Sequence, residues 1–222
     1  MVVFLPSPVV GDVLGAGSHG TVFLQEQTDR TKVAVKRALQ GEEGTLRHER
    51  AMLLHLHSLH PISGIPRVCS WVSHKEEWEL AIEYIEGQVV EDAFLDAEHS
   101  KRLLDVITEL FTIFAQLHAR QIVHHDLHER NLLLSSTGHL YVIDFGLAQF
   151  QPEPCLYRSE VVDLWTMTRT WIDIYLPSQE LMAALYDAWY DCALGDPHQM
   201  VCAAELVAAW HGIRRTLAHV SL

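Results

Sequence analysis

The chain has 222 residues, is 49% hydrophobic and 20% charged, and carries 16 Lys and Arg against 29 Asp and Glu, for a formal charge of −13. This is the composition of a globular chain long enough to bury a sizeable core, as one domain or as two small lobes, and it argues against disorder. The acidic balance repels a nucleic-acid backbone, so direct nucleic-acid binding is not expected.

In chain order, the apolar opening Val2–Val10 is broken by Pro6 and Pro8 and is too short to span a bilayer. Val9–Leu14, Thr21–Glu26 and Lys32–Arg37 are short β-branched runs separated by glycines or by Thr-Asp-Arg, which predicts a strand meander. Gly44–His57 has helical spacing through Leu46, Met52, Leu53 and Leu56 and stops before His60-Pro61. Ile65–Ser73 and Trp78–Tyr84 read as two further strands. After Gly87 the pattern turns helical: Lys101–Arg120 presents one wide apolar face through Leu103, Leu104, Ile107, Leu110, Phe111, Phe114 and Leu117. Two short strands, Leu132–Leu134 and Leu140–Ile143, flank the Ser135-Ser136-Thr137-Gly138 turn. Helices are expected over Ser159–Tyr175, Ser178–Cys192 and His198–Ala218, the middle one with Ser178 as N-cap. The boundary falls near Glu86-Gly87, giving a strand-rich unit over 1–86 and a helical one over 87–222. The four cysteines, Cys69, Cys155, Cys192 and Cys202, are scattered with no CxxC pair, so reduced thiols and a soluble, cytoplasmic setting without a membrane span are expected.

Three motifs stand out against this background. Gly15-Ala16-Gly17-Ser18-His19-Gly20-Thr21-Val22 fits G-x-G-x-x-G-x-V. Glycine clusters are first of all turns, but here a strand follows, where a dinucleotide fold requires a helix. Val33-Ala34-Val35-Lys36 places a Lys on a strand among apolar neighbours rather than at a solvated edge. Glu49, one turn ahead of an apolar helical stripe, is the natural carboxylate to orient it, with Glu42 and Glu43 as rivals. Finally, His124-His125-Asp126-Leu127-His128-Glu129-Arg130-Asn131 precedes a strand-like run ending in Asp144-Phe145-Gly146. An Asp, an Asn five residues on and a second Asp on a Gly turn supply oxygen ligands and a base, the parts that phosphoryl transfer needs.

The three motifs in this order, with Glu49 between them, resemble the protein-kinase superfamily over nearly the whole chain. The resemblance implies an α+β, bilobal protein-kinase-like fold, with an antiparallel β N-lobe holding one helix, a reduced and mainly helical C-lobe, and an ATP cleft between them. It implies ATP and Mg²⁺ as cofactors. Gly15, Gly17, Ser18, Gly20 and Val22 would cover the phosphates with Lys36, Ala34 would line the nucleotide site, and the connector Glu83-Tyr84-Ile85 would meet the adenine edge. Glu49 would orient Lys36, Asn131 and Asp144 would hold metal, and Asp126 would accept the proton of the acceptor hydroxyl. Asp163, in Ser159-Glu160-Val161-Val162-Asp163-Leu164-Trp165, would anchor the catalytic-loop backbone. Glu91-Asp92 is read as a helix cap rather than as a ribose contact.

Two departures narrow the reading. His125 and His128 stand where conventional members carry Arg and Lys. The stretch from Gly146 to Asp163 holds only a short linker with Pro152 and Pro154, with no A-P-E motif and no long activation segment. This compactness resembles the small kinase/ATPase of the KEOPS complex, RIO kinases and lipopolysaccharide-core kinases. A Ser/Thr protein acceptor ranks first. A small hydroxyl-bearing molecule or glycolipid, or a role as a kinase-fold ATPase with a partner in a protein complex, are the alternatives. The dense histidines, His55, His57, His60, His118, His124, His125 and His128, lack the spacing of a zinc site. Trp165, Trp171, Trp189 and Trp210 are read as core.

Overall fold

The computed structural model describes residues 11–58, 60–74, 77–93, 102–175, 183, 186 and 202–219. Of the expected helix Ser178–Cys192 only Ala183 and Tyr186 are described, both helical, and the opening residues up to Val10 lie outside the described residues. The chain divides into two units: residues 1–86 with 143–147, and residues 87–142 with 148–222.

The first unit is built on five antiparallel strands, β1 (Val13–Gly17), β2 (Gly20–Glu26), β3 (Lys32–Ala38), β4 (Val68–His74) and β5 (Glu77–Glu83), ordered β1-β2-β3-β5-β4. The central strand β3 has its apolar residues on both faces. Val33, Ala34, Val35 and Lys36 are all buried there, as expected of a strand covered on both sides. Helix α1 (Glu43–His57) packs on β3, β4 and β5 through Leu46, Met52, Leu53 and Leu56, a stripe at helical spacing. Glu49 lies within that stripe and is 1% exposed. Two cations cover tryptophans of the unit: Arg47 stands 4.1 Å from the Trp78 ring centroid and Arg50 stands 5.4 Å from that of Trp71.

The second unit opens with β6 (Gly87–Val89), which leads into the single turn α2 (Val90–Ala93). Glu91 and Asp92 occupy the first turn of α2, and Glu91 accepts a hydrogen bond from Arg130 Nε at 3.2 Å. Helix α3 (Leu103–Ala119) follows, then β7 (Ile122–Val123), a 3₁₀ turn (Glu129–Asn131), β8 (Leu132–Ser135), β9 (Leu140–Val142) and β10 (Gln149–Phe150). The sheets pair β6-β8-β9 and β10-β7. Gly87 is required by the first of these, because a Cβ there would come within 2.2 Å of the Leu134 carbonyl oxygen.

Helices α4 (Pro154–Tyr175) and α5 (Ala203–His219) pack on α3, whose Leu103, Val106, Ile107, Leu110, Phe111, Phe114 and Leu117 are buried. Trp210 of α5 meets Phe111 edge to face at 5.9 Å and donates its indole N–H to Thr108 Oγ1 at 2.8 Å, so both its ring and its polar atom are satisfied. Helix α4 starts at Pro154, earlier than the expected Ser159. A proline in the first helical turn loses nothing, since that N–H has no intrahelical acceptor. The extra turn buries Tyr157.

Candidate active site

The first unit brings three of the expected residues together. Lys36 Nζ lies 2.8 Å from Glu49 Oε2 and 2.7 Å from Asp144 Oδ1, and Lys36 and Glu49 are both buried. Burial alone would push the Lys36 ammonium down, but Glu49 and then Asp144 outweigh it and hold the group above its ordinary value. Burial raises the Glu49 carboxyl and Asp144 adds to this, against the Lys36 ammonium and a hydrogen bond from the Phe145 backbone N–H. Glu42 is engaged elsewhere: its Oε2 lies 2.8 Å from His19 Nδ1 and accepts from Thr45 Oγ1 at 3.1 Å, while Glu43 accepts from the Gly41 N–H.

Asp144 sits at φ 63°, a conformation that costs a non-glycine residue free energy and is found at sites where a side chain must be aimed. Gly146 beside it has no space for a side chain, since a Cβ would approach Thr45 Cγ2 at 2.9 Å and Asp144 Oδ1 at 3.2 Å.

The glycine-rich segment forms the β1–β2 hairpin, with Gly15 opposite Val22, Gly17 opposite Gly20, and Ser18-His19 as its turn. Its glycines differ in why they are needed. At Gly20 a Cβ would meet the Arg37 carbonyl oxygen at 2.3 Å, so the sheet itself demands glycine. At Gly15 and Gly17 a Cβ would meet nothing within 4 Å, so the protein's own packing does not. In the connector, Glu83 is committed to Arg67, donating its N–H to the Arg67 carbonyl at 2.8 Å and accepting the Arg67 N–H at 3.3 Å. Tyr84 lies under Lys32 Nζ, 5.9 Å from the ring centroid. The Ile85 backbone N–H has no partner among the described residues.

In the second unit, the Asn131 amide nitrogen donates to the Asp126 carbonyl at 2.8 Å and to Asp126 Oδ2 at 3.0 Å, which leaves the amide oxygen as the atom able to ligate a cation. His128 Nε2 stands 3.8 Å from Asp126 Oδ2. The backbone turns sharply at His125, at φ 65°.

Glu160, not Asp163, holds this loop. Glu160 is 3% exposed, and its Oε1 accepts the backbone N–H groups of His124 at 2.8 Å and His125 at 2.9 Å. Its Oε2 lies 2.8 Å from His118 Nε2. Asp163, one turn later on α4, is exposed and makes no hydrogen bond with any described residue. Tyr157, Glu160, Val161 and Leu164 share the buried face of α4. A carboxylate at a core-facing helical position was the signal for Glu160, since a buried charge needs partners.

The Asp144 carboxylate in the first unit and the Asn131 amide oxygen in the second are each oxygen donors of the kind that a hard divalent cation takes, and the hairpin of the first unit leaves open space at Gly15 and Gly17. Comparison with known proteins points the same way. The protein kinase domain family matches residues 9–190, and the chain belongs to that family. Its α+β fold, an antiparallel sheet with one helix in the first unit and helices dominating the second, is that of a protein kinase. Similar proteins include the cyclin-dependent kinase 14 of Homo sapiens, 30% identical over 194 residues that cover 79% of this chain and 38% of that protein. The cyclin-dependent kinase 14 of Xenopus laevis is 30% identical over 197 residues, covering 79% of this chain and 40% of that protein. A probable cell division protein kinase of Encephalitozoon cuniculi is 28% identical over 165 residues, covering 71% and 59%. The chain thus spans about two fifths of the length of the cyclin-dependent kinases that it matches.

Proposed function

We propose that this chain is an ATP- and Mg²⁺-dependent phosphotransferase that carries the γ-phosphoryl group to Ser or Thr hydroxyls of protein. The observation that carries the reading is the buried Lys36 ammonium held at 2.8 Å from Glu49 and 2.7 Å from Asp144. A cation fixed in this way has a fixed direction in which to meet phosphate oxygens. Mg²⁺, when bound, would neutralise charge on the phosphates, with the Asp144 carboxylate and the Asn131 amide oxygen as its protein ligands.

The remaining roles follow from each group's chemistry. The backbone N–H groups of the Gly15–Gly20 hairpin, Ser18 included, approach phosphate oxygens, and Ala34 and Val22 offer apolar surface to the base. Tyr84 and Ile85 offer backbone groups to the adenine edge, whereas Glu83 contributes through its place at the end of β5. Asp126 accepts the hydroxyl proton as the acceptor oxygen bonds to the γ-phosphorus and the bond to the bridging oxygen breaks. Asn131, by donating to Asp126 Oδ2, fixes the direction of that carboxylate.

Only residues 147–153 separate the Asp-Phe-Gly turn from the start of α4. This short stretch supports a kinase without a conventional activation loop, of the compact kind that the KEOPS and RIO resemblance implies. No described helix is long and apolar enough to cross a membrane. The test is transfer of radiolabelled γ-phosphate to a panel of proteins with Mg²⁺, comparing wild type with Asp144→Asn. Label in a Ser or Thr acceptor that disappears in the variant is expected. Label confined to small hydroxyl compounds, or none that depends on Asp144, would overturn the reading.

A further inference from the structure

A cavity of about 140 Å³ opens in the second unit beside the catalytic loop. Val123, Leu127 and Leu156 give it apolar walls, and His125, Ser159 and Asp163 bring polar side chains to it, with Glu160 behind them. A single water needs only about 10–15 Å³ of such space, so the cavity has room for a larger group. His125 and Leu127 flank Asp126 in the chain, so the loop that carries the proposed base also supplies part of the cavity's wall.

The polar groups divide sharply by use. Both Glu160 oxygens are spent on His118 and on the His124 and His125 backbone N–H groups. In contrast, the Asp163 carboxylate, the Ser159 hydroxyl and the His125 ring make no hydrogen bond or ion pair with any described residue. Partial burial, and then the Glu160 charge, push the Asp163 carboxyl up, against a smaller opposing effect of His125. The lining carries two carboxylates and no Lys or Arg, so its field repels phosphate and other anions and favours a cation. Among the described residues no three His, Cys, Asp or Glu side chains are placed to ligate a metal ion, which leaves an organic cation. Apolar walls leading to a carboxylate suit a side chain with a methylene stem and a charged head. A formal charge of −13 also steers basic partners toward the chain.

We propose that this cavity receives a Lys or Arg side chain of the protein acceptor, with Asp163 and Ser159 meeting its charged head, so that acceptors with a basic residue near the hydroxyl are selected. The proposal rests on the phosphotransferase reading for its purpose, but its binding step stands apart from turnover.

The test uses Ser-containing peptide pools with Arg fixed at each flanking position in turn and matching pools with Gln, assayed on the full chain and on Asp163→Asn. Asp163 is exposed and without hydrogen bonds, so the variant is expected to fold, which circular dichroism would check. At one position Arg should raise kcat/KM about tenfold over Gln, mainly through KM, as one charge-assisted hydrogen bond would. In Asp163→Asn that ratio should fall toward one. Transfer without any Arg preference, or a preference that survives Asp163→Asn, would overturn the proposal and leave the phosphotransferase reading standing. Fluorescence anisotropy of the labelled Arg pools needs no turnover. Asp163-dependent binding without Asp144-dependent transfer would retain the cavity's role and reject the phosphotransferase. Equal binding of the Arg and Gln pools would reject the cavity's role.

Discussion

His118 Nε2 lies 2.8 Å from Glu160 Oε2, with both side chains buried. Because the Ala203 backbone N–H donates to His118 Nδ1 at 2.9 Å, the ring proton is on Nε2 and is given to Glu160. A chain of hydrogen bonds therefore runs from the start of α5, through α3, to α4 and on to the catalytic loop. Glu160→Ala would leave the buried His124 amide and the part-buried His125 amide without their acceptor, at about 1–3 kcal/mol for a buried donor left bare and less for the other. Urea unfolding should show a loss of that order. Transfer by the surviving folded fraction should fall as well, since the loop that carries Asp126 loses its tether. A variant of wild-type stability and rate would show that the loop holds its shape without Glu160.

The Lys36–Glu49 pair predicts non-additive mutant stabilities. Removing one partner of a buried ion pair leaves an uncompensated charge, which costs about 3–5 kcal/mol, whereas replacing both by apolar residues of similar size is often close to neutral. Glu49→Leu leaves Lys36 with Asp144, whereas Lys36→Met leaves the buried Glu49 carboxylate without a cation, so Lys36→Met alone is expected to be less stable than Lys36→Met with Glu49→Leu. Equal or additive losses in denaturant titrations would mean that the pair is not coupled as the 2.8 Å contact implies.

Gly15 and Gly20 should separate fold from function. Gly20→Ala forces the β2–β3 edge apart at the Arg37 carbonyl, so its melting temperature should drop by several degrees. Gly15→Ala meets open space, so its stability should be unchanged while nucleotide affinity falls, because the added methyl occupies the approach to the backbone. If Gly15→Ala binds ATP as wild type does, the hairpin does not cradle phosphate.

Asp163 carries a pH signature. Its carboxyl is raised above the ordinary value by burial and by Glu160, so the folded state holds the proton more tightly than the unfolded state does. Above the raised pKa the ionised group costs stability, and the cost disappears as pH falls through it. At neutral pH Asp163→Asn should equal or slightly exceed wild type, within about 0.5 kcal/mol for so exposed a position, and the gap should close on acidification. A marked loss of stability would restore to Asp163 the anchoring role that the geometry gives to Glu160.

The proposed division of catalytic labour has its own test. Asp126→Asn should bind ATP as wild type does and transfer phosphate far more slowly, because general-base help is typically worth 10²–10⁴-fold. Asp144 also neutralises Lys36, so Asp144→Asn, which keeps a hydrogen-bond acceptor, is a better probe than Asp144→Ala. Equal loss of ATP binding in Asp126→Asn and Asp144→Asn would show that base and metal ligand are not separate functions.

Much of this was legible in the sequence, for physical reasons. Strand period 2 and the apolar stripe Leu46, Met52, Leu53, Leu56 located the first unit's elements, and the same stripe isolated Glu49 from Glu42 and Glu43. Glu160 was equally visible as a charge beside Val161 and Leu164 on a core-facing stripe, but the motif resemblance drew the reading to Asp163. Pro152 and Pro154 read as part of a short linker, whereas Pro154 opens a helix. The two-residue strands β7 and β10 had no signal of their own, since Gln149-Phe150 is a strand only because Ile122-Val123 lies beside it. The contact of His19 with Glu42 joins residues 23 apart in the chain, a relation that local pattern does not encode.

Residues 143–147 group with the first unit while the chain on either side of them belongs to the second. A fragment ending at Glu86 would keep Lys36 and Glu49 yet lose the Phe145 amide and the Asp144 carboxylate that complete their environment. A fragment starting at Gly87 would carry those groups with nothing to serve. A single cut after Glu86 therefore cannot yield the first unit whole, because five of its residues are carried on the stretch of chain that builds the second.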